Sequence, residues 1–168
     1  LFRSKKLELE IKESISRKTL LDKFKPILEY ESKGMEKLSY GHIETIYEII
    51  EKGSLYAYLG NYDYADGILS CALRKVFSDV KNMLGEEMNL VDSTITRYYG
   101  GLYFSFRQAI DIDAIATYAF RQEEPLKSKL LAALMGATTD VVNTVGKQFA
   151  QPLKIRNADG SLKTNLVK

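Results

Sequence analysis

Four cations near the C-terminal end, Lys147, Lys154, Arg156 and Lys163, stand beside the side-chain amides of Gln148 and Gln151. Ammonium and guanidinium groups bind phosphate oxygens and carboxamides hydrogen-bond base edges, so this set suits contact with phosphate or a base. The distribution of charge agrees: residues 126–168 hold seven Lys or Arg against two Asp, a net +5, which leaves −3 for residues 1–125. The overall formal charge of +2 is too small by itself to announce a nucleic-acid-binding protein.

Other chemistry finds little to work with. A zinc site needs three or four converging His, Cys, Asp or Glu ligands, and the chain has one His, His42, and one Cys, Cys71. Cys71 lies one position off the apolar stripe of its helix and reads as a buried packing thiol; His42, in YGHIE, reads as a helix-borne histidine. Asp111 and Asp113 are two residues apart on an expected helix, face different ways, and read as solvated charges near a helix start. Gly100-Gly101 is the only close glycine pair, which suits a turn better than a phosphate cradle. No catalytic residue and no metal ligand is assigned.

The elements that must position these groups are mostly helices. Leu7, Ile11 and Ile15 recur at helical spacing over residues 1–25, Pro26 interrupts, and Ser32, Lys33, Gly34 read as a loop. A helix is expected around Ile43 to Ile50 with Gly53 as its stop, followed by a tyrosine-rich link from Tyr56 to Tyr64. The strongest stripe runs from Asp63 to Leu84, through Ile68, Leu69, Ala72, Leu73, Val76, Phe77 and Val80, with Gly85 after it. Val91 to Phe104, rich in β-branched and aromatic residues, favours an extended stretch or hairpin, with Tyr98, Tyr99, Tyr103 and Phe104 suited either to the core or to stacking on a base. Ser105 and Gln108 form the S-x-x-Q capping box, so a helix should start at Phe106 and end near Glu124. A further apolar helix is expected from Leu126 to Val145, with Gly146 past its end, and could cover the Ile68–Val80 stripe. Asp159-Gly160 reads as a tight turn.

Two segments, RYYGGLYFSFRQAIDIDAI from Arg97 to Ile115 and VVNTVGKQFAQPLKIRNADGSLK from Val141 to Lys163, resemble the middle region of adenine-N6 DNA methyltransferases of the D12 class. In the second, Asn143, Thr144, Gly146, Lys147, Ala150, Gln151 and Pro152 stand in the family pattern. The resemblance spans roughly residues 90–165 and implies methyl transfer from S-adenosylmethionine to the N6 of a flipped-out adenine in DNA. Such enzymes hold the cofactor at a Gly-rich turn and the target amine at a (D/N)-P-P-(Y/F) motif. Neither is present: the prolines are Pro26, Pro125 and Pro152, none doubled.

The resemblance thus implies an internal segment of a larger α/β Rossmann-like enzyme, partnered by the enzyme's remaining segments and by DNA. The parent would use S-adenosylmethionine; the chain alone would need no cofactor and be inactive. Lys147, Gln148, Gln151, Lys154 and Arg156 are the expected DNA contacts. The alternative is a non-catalytic helical module that binds nucleic acid or a protein partner. In fold terms the chain reads as mainly α, one helical domain or fragment over 1–168 with a small extended element near 91–104. Within it lie an N-terminal helical part, 1–84, and the methyltransferase-like middle segment, 90–165. With 45% apolar and 27% charged residues it can bury an ordinary core, and the lone cysteine and the lack of an apolar run of spanning length suit a cytoplasmic location.

Overall fold

A computed structural model describes residues 2–60, 68–85, 91–142, 155–161 and 163. The protein is mainly helical: α1 Phe2–Lys12, α2 Ile15–Lys23, α3 Lys25–Ser39, α4 Glu44–Lys52, α5 Leu55–Gly60, α6 Cys71–Leu84, α7 Thr94–Tyr99, α8 Phe106–Phe120 and α9 Leu126–Val141. A 3₁₀ turn at Val91–Ser93 precedes α7, and no strand occurs among the described residues.

The N-terminal pattern resolves into two helices because Ser14 caps the second, its hydroxyl accepting the Arg17 N–H. Pro26 opens α3 as a first-turn proline rather than ending a helix. The helix then runs through Ser32, Lys33 and Gly34, which are not a loop. Gly34 is there for close approach: a Cβ on it would meet Ile46 Cδ1 and Thr45 Cγ2 at 2.9 Å. The stop at Gly53 is as expected. The Asp63–Leu84 helix begins only at Cys71, because Ser70 takes the N-cap and accepts the Leu73 N–H; residues 63–67 lie outside the described residues. Cys71 is exposed rather than buried, since it lies off the side of the helix that Leu73, Phe77 and Val80 turn to the core. His42 sits in the turn between α3 and α4, not on a helix.

The main core gathers residues from both parts of the chain. Leu20 and Phe24, Ile27, Ile46 and Ile49, Leu55, Leu73, Phe77 and Val80, Phe106 and Ile110, and Ile155 are all buried together. α6 lays its stripe on α3, α2 and α5, whereas α9 lies along α8. The expected cover for the Ile68–Val80 stripe is therefore wrong: α3 supplies it. α9 also ends earlier than Val145, since Val142 is already extended, and none of its residues is buried; Met135 is 71% exposed. A helix apolar on most sides carries little directional signal about what covers it.

Two helix starts are held by a carboxylate from another helix. Glu48 accepts the Ser70 N–H at 2.7 Å and its hydroxyl at 2.9 Å, anchoring the cap of α6. Glu31, buried in α3, accepts the N–H groups of Phe106 at 2.7 Å and Arg107 at 3.1 Å at the start of α8. Ser105 takes the Gln108 N–H in the expected capping box, so the first turn of α8 is fully satisfied. Unpaired first-turn N–H groups and the positive end of the helix dipole favour an anion there. Burial pushes the Glu31 carboxyl up, against the pull of the two backbone N–H groups and Arg107. Replacing Glu31 by alanine strands both donors and should lower stability by about 2 kcal/mol in urea unfolding; a change under about 0.5 kcal/mol would remove Glu31 from this role.

Candidate nucleic-acid interface

The segment from Val91 to Phe104 is not a hairpin. It forms the 3₁₀ turn, α7 and a tight turn whose only ladder feature is an isolated bridge between Gly100 and Phe104. A tertiary contact overrides the β-rich composition. Asp113 on α8 accepts the N–H of Ile95 at 2.9 Å, the N–H of Thr96 at 2.8 Å and the Thr96 hydroxyl at 2.7 Å. A buried carboxylate with three donors from one turn selects helix over strand for α7.

Asp113 is therefore not the solvated charge its position suggested: it is 4% exposed. Asp111 does face the other way, half-buried, with Arg17 at 2.9 Å and Arg107 at 3.7 Å. Burial raises the Asp113 carboxyl to about 6, opposed by the Thr96 hydroxyl and the two N–H groups and assisted by nearby Asp92. Below the unfolded value near 4 both states hold the proton; between about 4 and about 6 only the folded state does; above that neither does. The contribution is thus fully present at low pH and lost as pH rises through about 6. The stability difference between the wild-type protein and Asp113→Asn should narrow from pH 4 to pH 7 by roughly 2 to 3 kcal/mol. A difference flat across that range would contradict the shift.

The turn after α7 is built on Phe106. A Cβ on Gly100 would lie 2.8 Å from the Phe106 ring; one on Gly101 would lie 2.9 Å from it and 2.7 Å from the Gly53 carbonyl oxygen. The glycine pair is thus filled by protein and follows a helix rather than a strand. Among the described residues no three His, Cys, Asp or Glu side chains gather to hold a metal, and no helix is long and apolar enough to cross a membrane.

The motif's aromatics divide by position. Phe104 is buried with Ala109 and Ile112 in a second small core, joined by Ile95, Tyr103, Leu134 and Val142. Tyr98 and Tyr99 instead reach the surface, 43% and 41% exposed. Tyr98 stacks on Tyr56 of α5, ring centroids 4.5 Å apart and planes 28° from parallel. The Arg97 guanidinium lies 5.7 Å from the Tyr98 ring centre, and its Nε is buried with no hydrogen-bond partner among the described residues. Tyr99 meets Tyr103 edge to face at 5.8 Å. Composition suggested that these rings could stack on a base, but Tyr56, more than forty positions upstream, had no local signal tying it to them.

Of the expected DNA contacts, Lys147, Gln148, Gln151 and Lys154 lie outside the described residues, as does the rest of NTVGKQFAQPL. Arg156 is described and is already matched: its Nε and Nη2 donate to Glu51 at 2.5 and 2.9 Å, and its Nη1 to the Gly160 carbonyl at 3.0 Å. Glu51 is held below the usual carboxylate range by Arg156, and the arginine is raised in turn. Buried Ile155 and a hydrogen bond from the Tyr47 hydroxyl to the Lys163 carbonyl fasten the same loop to α4. Asp159 and Gly160 form the expected turn, with the Gly160 N–H on the Asn157 carbonyl at 3.1 Å. The arrangement offers an exposed aromatic stack beside a cation. In comparison with known proteins the chain matches no protein-family model, no curated protein and no solved structure.

Proposed function

We propose that the chain is the helical connecting segment of an S-adenosylmethionine-dependent adenine-N6 DNA methyltransferase, a scaffold whose partners are DNA and the enzyme's catalytic and cofactor-binding segments. The observation that carries the reading is how the family-like residues are used. Gly100 and Gly101 close on Phe106, Asp113 fixes α7, and Phe104, Ala109 and Ile112 build a second core with Leu134 and Val142. The motif therefore serves packing, as does the extended, partly buried Val142 at the end of α9. Lys147, Gln148, Gln151 and Lys154 would then supply contacts to DNA, while Arg156 serves the fold.

The genomic DNA around this segment tests the reading. A Gly-rich turn encoded upstream and a (D/N)-P-P-(Y/F) motif downstream in the same frame are expected; a frame that continues well beyond both ends without them would contradict it. The chain by itself should transfer no label from tritiated S-adenosylmethionine to adenine-containing duplex DNA, and robust turnover would overturn the scaffold assignment.

The exposed apolar side chains of α9, Leu126, Met135 and Val141, favour a second reading, a non-catalytic module that binds a partner. In that case the flanking frame carries neither motif, and pull-down depends on Met135.

A further inference from the structure

We propose that the Tyr56–Tyr98 stack, with Arg97 beside it, is a platform for an unpaired base of single-stranded DNA. Two tyrosines from separate elements are held nearly parallel at 4.5 Å, yet both remain about half exposed, 52% for Tyr56 and 43% for Tyr98. Aromatic pairs that serve only the core are covered; Tyr58 and Phe77, 5.4 Å apart, are an example in this protein. The fold also fixes the platform's spacing. Gly101 just after α7 approaches the carbonyl of Gly53 just before α5 so closely that only glycine fits, and this contact sets α7 and α5 side by side.

The ligand class follows from the surface. Tyr56 is the more exposed of the two rings, and a flat heteroaromatic ring adds to the end of such a stack whatever its hydrogen-bonding edge. The positive charge of Arg97 beside Tyr98 adds attraction for the phosphates of the strand. In a duplex both faces of every internal base are already covered, so the platform requires an unpaired one. The net +5 of residues 126–168 adds attraction for a polyanion. None of this depends on methyl transfer, so the platform stands or falls separately from the proposed function.

The test uses the whole chain and a short oligo-dA carrying 2-aminopurine at its centre, at about 50 mM salt. With no tryptophan in the chain, the probe's fluorescence reports on the base alone. The single strand should bind with the probe quenched, the blunt duplex of the same sequence should bind without quenching, and free dAMP should bind far more weakly than the strand. Tyr56→Ala should weaken strand binding roughly tenfold or more, while Tyr56→Phe, which keeps the ring, should bind like the wild-type protein. Tyr56→Leu preserves apolar bulk and should behave as alanine does, which guards against a folding defect in the smaller variant. Arg97→Gln should reduce the salt slope by about 0.7. No binding of the single strand, equal binding by wild type and a folded Tyr56→Ala or Tyr56→Leu variant, quenching in the duplex as strong as in the strand, or dAMP binding as tightly as the strand would each overturn the proposal.

Discussion

Asp113→Ala should lower the unfolding free energy by about 3 kcal/mol at a pH near 5, because three donors lose their only described acceptor at once. Those donors are the Ile95 and Thr96 N–H groups and the Thr96 hydroxyl, all on the first turn of α7. Against a typical total of about 5 to 15 kcal/mol this is a large fraction, and for a domain of this length it corresponds to a fall in Tm of roughly 6 to 12 °C. Asp113→Asn retains one carbonyl oxygen and should cost about half as much. The penalty should also shrink toward pH 7, since the folded protein then carries a desolvated charge that alanine removes. Equilibrium urea unfolding at the two pH values checks both parts. A loss below about 1 kcal/mol at the lower pH would show that α7 does not depend on this carboxylate.

Gly101→Ala should be as damaging, and for a different reason. Its φ of +83° lies in the left-handed region, where an L side chain costs roughly 1 to 2 kcal/mol. The added Cβ would stand 2.7 Å from the Gly53 carbonyl oxygen and 2.9 Å from the Phe106 ring, neither of them a flexible side-chain end. Forcing these apart adds about 1 to 2 kcal/mol, for a total near 3 kcal/mol. Gly160 provides the control: its φ is +82° but a Cβ there would meet nothing within 4 Å, so Gly160→Ala should cost only the backbone term, about 1 kcal/mol. Equal costs at the two positions would mean that the contact between Gly101 and Gly53 is not tight. Because that contact brings α5 and α7 together, Gly101→Ala should also weaken single-strand binding without touching either tyrosine.

These two positions show what a sequence can and cannot disclose. Local signals were legible. Ser105 and Gln108, three residues apart, form the capping box that opens α8, and Gly53 ends α4, because caps and stops act within a turn of the residues that carry them. Ser70 and Ser14 are caps of the same kind and had the same kind of signal, obscured by apolar periodicity running across them. Long-range signals were not legible. Asp113 reaches donors 17 and 18 residues away, Glu31 reaches Phe106 across 75, and no spacing rule connects such partners. Once Asp113 is known to be buried against Thr96, the helix at Thr94–Tyr99 follows, and the extended element suggested by VDSTITRYYGG does not.

Burial was legible only where periodicity was strong. The stripe on α6 goes into the core at Leu73, Phe77 and Val80, whereas α9, apolar without a clear polar side, buries nothing among the described residues. The candidate interface was half legible. Tyr98 and Tyr99 stood out as aromatics able to stack, but their exposure and the pairing with Tyr56 depend on how α5 and α7 meet. Arg156 looked like a free cation in sequence because its partner, Glu51, lies 105 residues away. The basic run from Lys147 to Lys154 lies outside the described residues.

The central claim is that this helical segment serves an adenine-N6 DNA methyltransferase as its scaffold. Methyl transfer by the product of the complete reading frame that contains the segment tests it most directly, read as N6-methyladenine in duplex DNA after incubation with tritiated S-adenosylmethionine. The account predicts label on adenine N6 from the complete product, none from the 168-residue chain alone, and for Asp113→Ala a lower thermal midpoint with turnover retained at low temperature. A folded complete product that binds DNA yet leaves adenine unmethylated would contradict it.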